Sequence, residues 1–130
     1  MNDLSGAGGA SASASASVCV CVVVLCAAWC RTCDAYAPVL ASVAAEFPGL
    51  ARRWLDIEDE AELLGELDVE TFPSVLVFDR DAVRFFGPLT PQPETLRRLL
   101  RSTLADGRPA RDLAPEVQAL AERLRAEVLA

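Results

Sequence analysis

A chain of 130 residues, 52% hydrophobic and 24% charged, holds enough apolar material for one globular, soluble domain. Its formal net charge of −7 argues against nucleic acid and anionic membrane as partners. All 12 basic residues are Arg; without Lys or His there are no Schiff-base lysines, histidine bases or imidazole metal ligands, which leaves mainly thiols as nucleophiles.

Residues 1–17, with Gly8-Gly9 and an alternating Ser-Ala tract from Ser11 to Ser17, have nothing to bury and read as a flexible tail. Val18 to Ala27 is a continuous β-favouring apolar run, the pattern of a central strand covered on both faces. The run to Ala28 is too short to cross a bilayer. No basic residue precedes Arg31, so the positive start of a secretion signal is missing. Ala35, Val39, Leu40, Val43 and Phe47 then recur at helical spacing and predict a helix over about Cys30–Glu46. Pro38 lies inside it as a kink, and Pro48-Gly49 ends it.

Ala51 to Ile57 predicts a second strand, followed by the acidic run Glu58-Asp59-Glu60 and a short helix to about Leu67. With Glu62 and Glu66 this run reads as a solvated face; selection of basic partner proteins is the sharper alternative. Ser74–Phe78 and Ala82–Phe86 predict two strands across a tight Arg80-Asp81 turn. Pro93 and Glu94 open a helix with Leu96, Leu99, Leu100 and Leu104 on one face, closed by Asp106-Gly107. Pro115–Leu129 predicts a last helix whose stripe of Val117, Leu120, Leu124 and Val128 must rest on its own domain or another subunit. The order β-α-β-α-β-β-α implies an α/β layer sandwich with a mixed sheet.

The five cysteines, Cys19, Cys21, Cys26, Cys30 and Cys33, all lie in one short stretch. An odd, clustered set is not a structural disulfide framework and suits a reducing compartment with one redox pair. Cys30 and Cys33 sit three positions apart where a strand gives way to a helix. There the unpaired backbone N–H groups and Arg31 favour a thiolate on Cys30. Cys30 is the candidate attacking thiol and Cys33, one turn on, the candidate resolving thiol. The plain alternative is two incidental small apolar residues, as Cys19 and Cys21 read. Zinc usually takes four ligands, so with no histidine a metal site is disfavoured. Cys26 reads as a small buried residue or as a third thiol able to trap Cys30 or Cys33 in an alternative disulfide.

Ala28-Trp29-Cys30-Arg31-Thr32-Cys33, Pro38, Asp56-Ile57-Glu58, Thr71-Phe72-Pro73-Ser74-Val75-Leu76-Val77-Phe78 and Gly87 together resemble the thioredoxin family over about residues 18 to 105. The resemblance implies a thioredoxin-like three-layer α/β/α sandwich with a mixed sheet, lacking the usual first strand and helix. It assigns 18–108 to the domain and 109–130 to an added C-terminal amphipathic helix. It also implies a thiol–disulfide oxidoreductase reducing or exchanging protein disulfides through Cys30 and Cys33. Such a protein needs no prosthetic group, and its electrons come from a thiol donor or a flavoprotein reductase in a reducing cytoplasm, serving cell redox homeostasis. Trp29, Arg31, Thr32, Phe72 and Pro73 would form the substrate-binding surface. Pro73 would be a cis proline and Phe72 would offer backbone to the substrate.

Three departures stand out. Arg31-Thr32 replaces the usual Gly-Pro between the cysteines; Val24 stands where many members bury an aspartate; Trp54 replaces the lysine often paired with it. The first two favour, as a second reading, a redox-sensing or partner-binding module with little turnover.

Overall fold

An uninterrupted apolar strand is stable only if both its faces are covered, and β1 (Cys21–Cys26) is buried along its whole length. The structure, a computed structural model, describes residues 20–67, 69, 73–106 and 108–129. Thus residues 1–17, expected as a tail, and Thr71 and Phe72 lie outside the described residues.

Side chains alternate along β1. Cys21, Val23 and Leu25 enter one core, and Val22, Val24 and Cys26 the other. On one side β1 pairs in parallel with β2 (Ala51–Asp56), from Cys21 opposite Ala51 to Cys26 opposite Asp56. On the other it pairs antiparallel with β3 (Ser74–Phe78), which continues through the Asp79–Ala82 turn into β4 (Val83–Pro88). The sheet order is therefore β2-β1-β3-β4. Asp79 Oδ1 accepts the backbone N–H groups of Asp81 and Ala82 at 2.9 Å each, while its other oxygen binds Arg84. Burial opposes the charge on Asp79, but these N–H bonds and the guanidinium outweigh it and hold the carboxyl below its ordinary value.

Helices α1 (Arg31–Ala44) and α3 (Pro93–Asp106) cover the Val22–Val24 face through Tyr36, Leu40, Val43, Leu96 and Leu100. A bidentate pair from Arg97 to Glu46, 2.8 Å at each contact, ties the two together. The opposite face carries α2 (Ala61–Leu64), a single turn, and α4 (Pro115–Leu124), which continues as a π-helical turn over Arg125–Leu129. The last helix thus packs on this chain's own sheet, burying Val117, Leu120, Ala121 and Leu124. The resulting α/β/α layers with a mixed sheet are the architecture the sequence implies. Element ends move by a few residues: the second helix ends at Leu64 and the fourth strand runs on to Pro88.

Polar contacts hold α4 in place. Arg123 donates to the Leu63 carbonyl at 2.7 Å, Arg125 to the Asp79 carbonyl at 2.6 Å, and Glu127 accepts from Arg53 at 2.8 Å. Arg123 passes directly over Gly65, whose φ of +61° and ψ of −123° suit only glycine. A Cβ there would stand 3.0 Å from the guanidinium. Gly65→Ala is expected to cost about 1–3 kcal/mol, read from the urea midpoint. An unchanged midpoint would show that this contact yields freely.

Candidate redox site

At the end of β1 the chain reverses through Ala27-Ala28-Trp29-Cys30, closed by a bond from the Cys30 N–H to the Ala27 carbonyl at 3.0 Å. Cys30 becomes the N-cap of α1, with extended backbone angles of −89° and 112°, and its side chain makes no capping bond. Its thiol is free and half-buried. Trp29 beside it is 66% exposed, and Arg31 and Thr32 also face outward. The sulfur therefore lies where the first-turn N–H groups have no helical partner, on an open rim.

Cys33 lies in the first turn of α1 with its side chain toward the sheet, 1% exposed. Its bonded partner in the structure is Cys26 rather than Cys30. The Cys26 and Cys33 Cα atoms are 5.8 Å apart, within the range a disulfide spans. The cause is local. Cys26 ends β1 on the α1 face, held by its pairing with Asp56 and by the Ile57 N–H, which donates to its carbonyl at 2.9 Å. The turn then lays the start of α1 back over that face. Cys26 is also 1% exposed, so both sulfurs of the bond are shielded from water.

Pro73 is buried at the same end of the sheet, because the pairing of Leu25 with Ser74 runs on toward Cys26 and Pro73. Its carbonyl accepts the Leu89 N–H at 3.3 Å. Phe72, its expected partner at the rim, is outside the described residues. Val24 is fully buried in the core that holds Cys33, and Trp54 packs against its margin.

Tyr36, one turn beyond Cys33, carries no obvious signal in the sequence. Its ring is fully buried and its hydroxyl has no hydrogen-bond partner among the described residues. Burial pushes its pKa up to about 12. Across the sheet, burial likewise pushes the Cys21 thiol up to about 12; nearby Arg53 pulls it down and Glu127 pushes it up.

The acidic run borders a separate open cavity of about 400 Å³ lined by Glu58, Asp59, Glu60, Glu62 and Glu127. Arg53 is bidentate to Glu60 at 2.7 and 2.8 Å, and this bond holds the Glu60 carboxyl below its ordinary value. Among the described residues no cluster of three or more Cys, Asp or Glu is placed to hold a metal ion. No helix of the described residues is long and apolar enough to cross a membrane.

A family model described as thioredoxin matches residues 13–91, more than half of the chain. Among solved structures, the thioredoxin of Trypanosoma brucei brucei is similar, with a TM-score of 0.58 and 22% identity. The match covers 67% of this chain and 76% of that one. Chloroplastic thioredoxin z gives 0.60 and 22%, over 71% of this chain and 85% of its own. A mutant thioredoxin from Halobacterium salinarum gives 0.56 and 21%, over 66% and 75%. No curated protein matches the chain.

Proposed function

The chain belongs to the thioredoxin family, and from that premise we propose that it is a thiol–disulfide oxidoreductase acting on protein disulfides. The observation that carries this is a free, half-buried thiol at the N-cap of α1, with Cys33 buried one turn further on. Cys30 attacks a substrate sulfur and releases the first product thiolate. Cys33 then attacks the mixed disulfide at Cys30 and releases the second. Exposed Trp29, Arg31 and Thr32 form the docking rim, backed by the buried Pro73 at the adjacent strand entry. No prosthetic group is needed. A thiol donor or flavoprotein reductase returns the electrons, in a reducing cytoplasm.

Reduction of insulin disulfides by dithiothreitol tests the reading. The wild type should accelerate it, and Cys30→Ser should fall to the protein-free rate. Equal rates for both proteins and the blank would instead support a redox-sensing or partner-binding module. The apolar Val24 beneath the site favours that second reading, since no carboxylate stands at this position to take a proton from Cys33.

A further inference from the structure

We propose that Cys26 is a third redox-active thiol of this site, with Cys33 as a shared sulfur that exchanges partners between Cys30 and Cys26. The inference rests on the dithiol reading above and adds one step to it. Two observations carry it. Cys33 is bonded to Cys26 while Cys30 is free. The bonded sulfurs are sealed in the α1 core, whereas Cys30 remains on the open rim.

Oxidation of the reduced site by a substrate disulfide first makes the Cys30–Cys33 bond. The Cys26 thiol then attacks the Cys33 sulfur, and its proton passes to the departing Cys30 sulfur. The Cys30–Cys33 bond breaks, its electron pair leaves on Cys30, and the Cys26–Cys33 bond forms. No outside oxidant or reductant is consumed, because one disulfide and one thiol are present before and after.

Two consequences follow. The oxidising equivalent moves from the rim into the core, out of reach of an external thiol. Cys30 is restored as a lone accessible nucleophile, and only its return attack on Cys33 reopens the buried bond.

The chain itself allows a direct map. Cleavage after Trp29 and after Arg31 places Cys26, Cys30 and Cys33 on three different peptides. The full chain is reduced, oxidised with one equivalent of diamide, alkylated with iodoacetamide while folded, and digested without reduction. The expected map links Cys26 to Cys33, with Cys30 alkylated at close to one group per chain. In Cys26→Ala the link should move to Cys30–Cys33, and alkylation of Cys30 should fall to near zero.

A Cys30–Cys33 link in the wild type overturns the third-thiol proposal and leaves the dithiol reading intact. A Cys26–Cys33 link in the wild type with no link in Cys26→Ala overturns both, since no exchange then passes through Cys30. The wild-type map decides the first point even if the variant folds poorly.

Discussion

Deleting residues 110–130 is expected to abolish the cooperative unfolding transition at room temperature. Val117, Leu120 and Leu124 are buried against Cys21, Val23, Leu25, Leu76 and Phe78. Full burial of each such side chain is worth about 1.5–3 kcal/mol, so the three together rival a total margin of about 5–15 kcal/mol. The deletion removes more than these atoms. Of the described helices on that face only the single turn of α2 would remain, and the sheet surface under α4 would meet water. The bond from the Ala110 N–H to the Val83 carbonyl, 2.8 Å long, would go as well. Urea titration followed by circular dichroism reads the outcome. Leu120→Ala, which leaves the helix in place, gives the graded version and should cost about 2–5 kcal/mol. A truncated chain with the full-length midpoint would mean that α4 lies on the sheet without supporting it.

The same helix shows where sequence reading stops. Its stripe at helical spacing announces an apolar face, but a stripe names no partner. The partner is a sheet surface left open because the α2 segment folds only over Ala61–Leu64 before Gly65 turns the chain. That shortening follows from backbone freedom at one glycine, not from hydrophobic pattern. By contrast β1 was plain, since a run without alternation has only one use in a layered fold. The β3–β4 hairpin was equally plain, because two apolar runs meet across Arg80-Asp81; the bonds from the turn N–H groups to Asp79 emerge only from the structure.

At the site, Cys30 and Cys33 stood out through spacing, but Cys26 did not. It lies seven positions before Cys33 in sequence. Their meeting depends on a reversal at Ala27–Cys30 that no periodicity encodes. Cys26 was readable only as a choice between filler and third thiol. Tyr36 gave no warning either: it lies outside the stripe of Ala35, Val39, Leu40, Val43 and Phe47, and the lack of a partner for its hydroxyl among the described residues is a property of packing.

That hydroxyl and the Cys21 thiol lead to the second large effect, a steep loss of stability in alkali. An unfolded chain releases the Cys21 proton near its ordinary value of 9.0, but the folded one holds it to about 12. Tyr36 behaves in the same way between 10.0 and about 12. Between those limits the unfolded state binds fewer protons than the native state, so stability falls as pH rises. The slope is about 1.4 kcal/mol per pH unit for each group. This contribution is complete below the ordinary values and gone above about 12. Urea midpoints across this window, compared for wild type, Cys21→Ala and Tyr36→Phe, should show a shallower decline in each variant. Tyr36→Phe should also gain about 1 kcal/mol near neutrality by removing a buried hydroxyl that has no partner among the described residues. The chain has a single Tyr, so tyrosinate absorbance reports this residue alone. It should rise together with loss of the folded circular dichroism signal. Tyrosinate appearing near 10.0 in a chain still folded would show that water reaches the hydroxyl.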